Sequence, residues 1–219
     1  MAVKRFQQYC PVAHALDLVG DRWALLIVRE LMLGQRRYTD LADALPGIGT
    51  NILAGRLRQL EGAGVVRRTK LPPPAAVTVY ELTDDGRALD EVLRALASWG
   101  GRRMGAPEAG DCWSTYAVHM RFRPEHAVDG TYEVRFVGGE VLSLEVRDAT
   151  LTARRGEAFE PTLVVEAEAA QLHALIEGVS PVAQVVAEGG VRLLAGSESD
   201  LVALVRMFAP GEARAAVAA

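Results

Sequence analysis

The stretch TDLADALPGIGTNILAGRLRQLEGAGVVRRTKLPPPAAVTVYEL, residues 39–82, decides the fold of the first half of the chain. Its middle, from about Thr50 to Gly62, places Leu53, Leu57 and Leu60 at the i, i+4, i+7 spacing of one helix face. Thr50, Asn51, Ala54 and Arg58 fall on the other sides and face out. Ahead of it, Thr39 is positioned to cap a short helix, Asp40 to Leu45, that turns Leu41 and Leu45 inward, and Pro46-Gly47 supplies a turn. Behind it, Val65 to Leu71 and Val77 to Leu82 are rich in β-formers. They flank Pro72-Pro73-Pro74, which cannot extend a ladder and so belong at a hairpin tip. Two helices joined by a short turn and followed by a two-stranded hairpin make a winged helix-turn-helix.

Working outward, Pro11 suits the first position of a helix, where its missing N–H costs nothing. Val12, Leu16 and Val19 then share a face, and Gly20 stops the helix. Asp21 is a candidate N-cap for a second helix, Arg22 to Leu33, whose Trp23, Leu25, Leu26, Ile27, Val28 and Leu31 make it apolar nearly all round, so it is predicted to be the buried centre. Gly34 ends it. Beyond the hairpin, Thr83 or Asp84 caps a last helix through Ala88, Leu89, Val92, Leu93, Leu96 and Trp99. Glycine-rich residues 100–110 then read as a helix end and linker. The chain therefore divides into residues 1–105 and 106–219, each long enough to bury its own core.

Charge divides along the same line. Residues 1–105 hold 15 Lys and Arg against 11 Asp and Glu, whereas residues 106–219 hold 9 against 17. A basic half joined to an acidic half suits a first domain that meets a polyanion. No apolar run reaches the ~20 residues that cross a bilayer, and residues 1–8 have no apolar signal core, so a cytoplasmic protein that does not engage membranes is expected. Cys10 and Cys112, the only cysteines, make no disulfide framework.

The constellation for DNA lies on the helix after the turn. A major groove admits one helix, whose N-terminal residues reach base edges, and Thr50, Asn51 and Ala54 occupy that end. Asn can pair bidentately with adenine and Arg with guanine, which singles out Asn51 and Arg58. Arg36, Arg37, Arg67, Arg68 and Lys70 surround the motif as candidates for phosphate contacts, Lys70 towards the tip of the wing, and Arg56 is a further candidate for DNA.

Several pieces, in order and at matching spacing, resemble the HxlR-type (MarR-like) winged-helix regulators. They are Cys10-Pro11-Val12, Gly20-Asp21-Arg22-Trp23, Arg29-Glu30-Leu31, Arg37-Tyr38-Thr39-Asp40-Leu41, Leu45-Pro46-Gly47-Ile48, Arg56-Leu57, Leu60-Glu61, Gly64-Val65-Val66 and Tyr80-Glu81-Leu82-Thr83. The resemblance covers about residues 9–100. It implies a homodimer built from the first and last helices of the domain, a two-fold operator in double-stranded DNA, and regulation, often repression, of a nearby gene. Gly49 and Gly55 depart from the family pattern, which bears on the operator sequence. Some members sense quinones, aldehydes or oxidants through a cysteine at the position of Cys10. A helix N-terminus favours a thiolate, and His14 lies one turn on. Cys10 equally suits a plain core position. With His14 it is too small a set for a metal site.

The second half changes character. Residues 113–122, Tyr132 to Val137, Val141 to Val146, Thr150 to Arg155 and Thr162 to Ala167 read as strands, with Gly138-Gly139 as a hairpin turn. Helices follow at Glu168 to Glu177, Pro181 to Glu188 and Glu198 to Phe208, with a late strand at Val191 to Ala195. This order predicts an α+β layer, one antiparallel sheet with helices over one face. It is similar to the SCP2 (sterol carrier protein 2-like) fold, carried by the Gly-rich hairpin before Leu142-Ser143-Leu144-Glu145-Val146, by Leu172-His173-Ala174-Leu175-Ile176-Glu177-Gly178, and by Gly189-Gly190-Val191-Arg192-Leu193. That resemblance implies an apolar space for a hydrophobic small molecule, lined by Leu175, Ile176, Val182, Val185, Val186, Leu201, Leu204, Val205 and Phe208; the same residues also suit a plain core.

His119, His126 and His173 are scattered without nucleophile–base spacing, and no phosphate-cradling Gly loop precedes a helix, so no enzyme and no cofactor is expected. The sequence thus points to a transcriptional regulator, with two readings open beside it. The second half is either an effector domain or only a dimerising or recruiting module. The whole is otherwise a hydrophobic-ligand carrier with an interaction-type winged helix.

Overall fold

The computed structural model describes residues 6–105 and 114–209. The chain divides into two compact units, Met1–Cys112 and Trp113–Ala219. The 105/106 boundary, Cys112 and the tail after Gly211 lie at or outside the limits of the described residues.

In the first unit, α1 (Pro11–Val19), α2 (Ala24–Met32), α3 (Tyr38–Ala44) and α4 (Thr50–Gly62) precede strands β1 (Val66–Lys70) and β2 (Thr78–Leu82), then α5 (Asp84–Arg87) and α6 (Leu89–Gly101). The strands pair antiparallel from Val66 opposite Leu82 to Lys70 opposite Thr78. This is a winged helix-turn-helix. Its core is aliphatic: Ile27, Val28 and Leu31 of α2 meet Leu41, Leu53, Leu57, Leu60, Val66 and Leu82, all almost fully buried. Each such side chain contributes about 1.5–3 kcal/mol of burial. Leu26 stays 38% exposed, so α2 is not buried all round.

The helix starts differ from the expected ones for local reasons. Trp23 sits at φ 80°, a left-handed conformation that no helical turn accepts, so α2 begins at Ala24 and not at Arg22. Asp21 gives α2 no side-chain cap; its carboxylate pairs with Arg56. Tyr38 opens α3 because the Asp40 carboxylate accepts the Arg37 backbone N–H at 3.0 Å, which leaves Thr39 inside the helix and not capping it. After the wing, Thr83 Oγ accepts the Gly86 N–H at 3.0 Å and donates to the Gly64 carbonyl at 2.6 Å. A Cβ on Gly86 would lie 2.1 Å from the Val65 carbonyl oxygen, so only glycine lets the chain pass there. The single helix expected after the wing divides at Ala88 into α5 and α6.

The second unit holds α7 (Tyr116–Met120), a 3-10 turn at Pro124–His126, β3 (Gly130–Phe136), β4 (Val141–Arg147), β5 (Thr150–Arg155), β6 (Leu163–Ala167), α8 (Ala169–Ile176), α9 (Val182–Ala187), β7 (Val191–Ala195) and α10 (Glu198–Arg206). Two expectations need correction. The segment read as a strand from residue 113 is helical over Tyr116–Met120, because Tyr116 is fully buried and its ring meets that of His119 three residues on, tilted, with centroids 5.2 Å apart. Burial of one helical stripe overrides the β-propensity of Thr115, Tyr116 and Val118. The sheet, ordered β5-β4-β3-β6-β7, is also mixed and not antiparallel, since β6 runs parallel to β3. Residues 156–162 carry the chain from one edge of the sheet to the far side of β3.

That crossing is anchored by a residue the sequence did not single out. Glu133, 1% exposed, accepts the Ala158 backbone N–H at 2.6 Å and Arg135 Nε at 2.7 Å. Farther along, Thr162 donates its N–H to the Thr131 carbonyl at 2.7 Å. The opposite sheet face is apolar, with Tyr132, Val134, Leu142, Leu144 and Val165 buried together with Leu172, Leu175, Leu201, Leu204 and Phe208 of the helical layer. Gly138 and Gly139, at φ 115° and 98°, make the β3–β4 turn, closed by Gly139 N–H to the Phe136 carbonyl at 3.0 Å.

Candidate nucleic-acid interface

The geometry of α4 follows from its leucines. Leu53, Leu57 and Leu60 are buried, so the helix fixes what points the opposite way: Asn51, Gly55 and Arg58. Thr50 and Asn51 are exposed at the N-terminal end, Ala54 is half-buried on the flank, and Arg58 is exposed, its Nε donating to the Ala54 carbonyl at 3.3 Å. The start of α4 is fixed from α3, where the Tyr38 hydroxyl donates to the Thr50 carbonyl at 2.7 Å. Trp23 braces the turn itself, its ring reaching within 3.9 Å of where a Cβ on Gly47 would stand. Asn51 and Arg58 border an open groove on one side of which α1 presents His14, Asp17 and Leu18.

The basic residues separate into two groups. Arg36 is largely withdrawn from solvent. It forms an ion pair at 3.0 Å with Glu30, a carboxylate 2% exposed on α2, and donates to the Asp40 carbonyl at 3.2 Å. Its backbone exchanges hydrogen bonds with Tyr80, N–H to O at 2.9 Å and 2.7 Å, a single antiparallel bridge to the wing. Arg29 also grips Glu30, at 3.0 Å. Arg56 is tied to Asp21, Gln59 and the Arg22 carbonyl, joining α4 to the turn before α2. Arg67 pairs across the wing with Glu81 at 3.0 Å, and the Thr69 hydroxyl donates to the same oxygen at 2.8 Å. The Arg67 hydrogen bond, then that of Thr69, holds the Glu81 carboxyl below the usual carboxylate range. Arg37, Arg68 and Lys70 are exposed. Arg68 and Lys70, two residues apart on β1, project from one face of the wing.

Sequence reasoning missed the Arg29–Glu30–Arg36 cluster. Glu30 carries one legible signal: it stands one helical turn after Ile27 and directly before Leu31, on the buried side of α2, where an acid needs a cation. Cys10 precedes α1 as its N-cap residue, half-buried and without a disulfide, and its carbonyl accepts the His14 backbone N–H at 2.9 Å.

Of the residues expected to line an apolar space in the second unit, Leu175, Val185, Leu201, Leu204, Val205 and Phe208 are buried core, and Val182 and Val186 are half-buried on α9. Ile176 borders a cavity of about 250 Å³ between α7, the β3–β4 turn and α8. Among the described residues, no helix is long and apolar enough to cross a membrane, and no group of three or more His, Cys, Asp or Glu is placed to hold a metal ion.

The model of the HxlR-like helix-turn-helix family matches residues 18–107. The HTH-type transcriptional regulator sll1512 of Synechocystis is 44% identical over 91 residues, 42% of this chain and 67% of its own. The HTH-type transcriptional regulator YodB of Bacillus subtilis is 36% identical over 91 residues, 41% of this chain and 81% of its own. The structure of the reduced form of YodB, 32% identical, covers 46% of this chain and all of that one, with a TM-score of 0.40. YodB also has a quinone-bound structure.

Proposed function

The chain belongs to the HxlR-like helix-turn-helix family of transcriptional regulators, and on that premise we propose that it is a homodimeric, sequence-specific repressor whose second unit binds a small-molecule effector. One observation carries the DNA-reading part: the face of α4 opposite its buried leucines is open and presents Asn51 and Arg58, with Thr50 at the N-terminal end. Arg37, Arg68 and Lys70 are the phosphate ligands in this reading. Arg36 and Arg56, already engaged within the domain, hold its shape instead.

Homodimerisation is supported by apolar side chains left outside the core of the first unit. Val12 and Leu16 of α1 are 66% and 48% exposed, and Val92, Leu96 and Trp99 of α6, spaced i, i+4, i+7, are exposed as well. Stripes of this kind on the first and last helices suit a partner's equivalent helices. The effector reading rests on the resemblance of the second half of the sequence to the SCP2 fold and on the cavity beside α8. A ligand acts on the operator only if it binds two states of the protein unequally.

The test is a titration of the full chain against DNA from the region upstream of its own gene, at two salt concentrations, beside Asn51→Ala and Arg58→Ala. Tight, salt-sensitive binding that each substitution weakens by about 1–3 kcal/mol supports the reading. Equal binding to operator and random DNA, unaffected by either substitution, refutes it. A second reading concerns Cys10. Its place at the N-cap of α1, where a helix N-terminus favours a thiolate, makes it the proposed thiol for an oxidant or quinone response.

A further inference from the structure

The cavity of the second unit has a composition more specific than an apolar tunnel. Its apolar wall is Val118 of α7, Phe136 at the end of β3, and Leu172 and Ile176 of α8; Thr115, Arg121, Glu140 and His173 belong to the polar part. The β3–β4 turn also lines the cavity, with Val137 62% exposed. The volume, about 250 Å³, exceeds the ~150 Å³ that encloses benzene and falls short of the ~300 Å³ at which drug-sized pockets begin. By proportion it holds about ten non-hydrogen atoms, one ring with a short substituent. A long acyl chain does not fit.

Charge selects the substituent. Arg121, just after α7, lines the cavity and is about one-third exposed. One terminal nitrogen pairs with Glu177. Among the described residues the rest of its guanidinium has no partner, so its remaining donors are available, and guanidinium donors match a carboxylate bidentately. A second positive influence comes from α8, which starts at Ala169 on the cavity wall without a side-chain cap, so the positive end of its dipole lies beside the cavity. The acid on the wall, Glu140, is neutralised by Arg155 at 2.7 Å, and His173 lies 3.8 Å from the Glu177 carboxylate. The site therefore offers apolar surface for a ring and, beside it, the Arg121 donors that Glu177 does not use.

We infer that this cavity binds a compact one-ring monocarboxylate, with Arg121 holding the carboxylate and Val118, Phe136, Leu172 and Ile176 enclosing the ring. The inference deepens the reading of the second unit as an effector domain and rests on it for the regulatory consequence alone. Binding is measured on the full chain without DNA, by calorimetry or ligand-observed NMR, using benzoate and phenylacetate, the neutral isostere benzyl alcohol, and palmitate. The expected result is that the two carboxylates bind at least tenfold more tightly than benzyl alcohol. Arg121→Lys, which keeps the charge facing Glu177 but loses the planar fork, should weaken benzoate about tenfold and leave benzyl alcohol unchanged. Ala169→Leu, which adds bulk to the cavity wall at the start of α8 and leaves Arg121 in the chain, should abolish binding of both; unchanged thermal unfolding of each variant shows that the fold is retained. No binding of benzoate at millimolar concentration, equal affinity for benzoate and benzyl alcohol, or tight palmitate binding lost in Ala169→Leu would each overturn the assignment. Benzoate that binds as expected but leaves operator affinity unmoved keeps the site and removes the effector role.

Discussion

Arg36 and Arg58 are two arginines of the same domain in opposite surroundings, and their alanine variants should behave oppositely. The Arg36 side chain is 11% exposed and that of Glu30 is 3% exposed, so their 3.0 Å pair is close to fully buried. Removing one partner of a buried pair costs about 3–5 kcal/mol, because the other charge stays behind without it. Arg29 still reaches Glu30 at 3.0 Å, which places Arg36→Ala at the lower end, about 3 kcal/mol. For a unit of roughly 100 residues each kcal/mol shifts the unfolding midpoint by about 4–8 °C, so a fall of about 12–24 °C is expected in the calorimetric transition of the first unit. DNA affinity measured well below that midpoint should change less than about twofold, and the slope of log K against log salt should not change, because no phosphate contact is lost. Arg58→Ala should do the reverse. Its side chain is exposed, so the midpoint should stay within about 2–4 °C, consistent with ordinary surface substitutions. Operator affinity should fall by about 1–3 kcal/mol. If Arg36→Ala leaves the midpoint in place and lowers the salt slope by about one, Arg36 is a phosphate ligand and its assignment to the domain's interior is wrong.

Four further outcomes are expected. Gly86→Ala, whose Cβ would meet the Val65 carbonyl at 2.1 Å, should destabilise the first unit by more than the ~1–3 kcal/mol of ordinary overpacking, seen as loss of its cooperative transition. Gly55→Ala meets nothing within 4 Å and lies mid-helix, so it should stabilise α4 by about 1 kcal/mol, read as a raised midpoint in denaturant. Glu81 is held below the usual carboxylate range chiefly by Arg67, so its contribution is complete above the unfolded value near ~4.3 and is lost as pH falls through the lower folded value; stability of Glu81→Gln should vary less with pH in that acid window than wild type. Brief treatment with benzoquinone should lower operator affinity of the wild type and leave Cys10→Ser unchanged, and equal responses of the two proteins would remove Cys10 as the sensing thiol.

What the sequence made legible is what periodicity and turn chemistry encode. The leucines of α4, the three prolines between β1 and β2, and the Gly138-Gly139 turn each dictate their local structure through nearest neighbours, and the elements form where those signals place them. The departures arise where a distant partner intervenes. Tyr116 becomes helical because the core takes its ring, and β6 lies parallel to β3 because residues 156–162 cross the sheet and fasten on Glu133, 25 residues earlier in the chain than Ala158. No local pattern announces either event.

The same distinction governs the candidate site. A basic residue is visible in sequence, but whether its charge is free to meet a phosphate depends on which acid the fold brings to it. Arg36 meets Glu30, Arg56 meets Asp21 and Arg67 meets Glu81, so three of the arginines grouped by proximity to the motif are committed to intramolecular partners before any DNA arrives. Recruiting Arg36 to a phosphate would leave Glu30, which is 2% exposed, without that partner and with its Arg29 ion pair retained, at a cost of about 3 kcal/mol. Arg67 is different: it is 60% exposed on the wing, and an exposed pair contributes only about 0–1 kcal/mol, so exchange of Glu81 for a phosphate would cost little. The wing is therefore where the count of phosphate contacts can grow. A salt slope for Arg67→Ala that falls by about one, with operator preference retained, is the expected signature of that exchange; an unchanged slope would confine the backbone contacts to Arg37, Arg68 and Lys70.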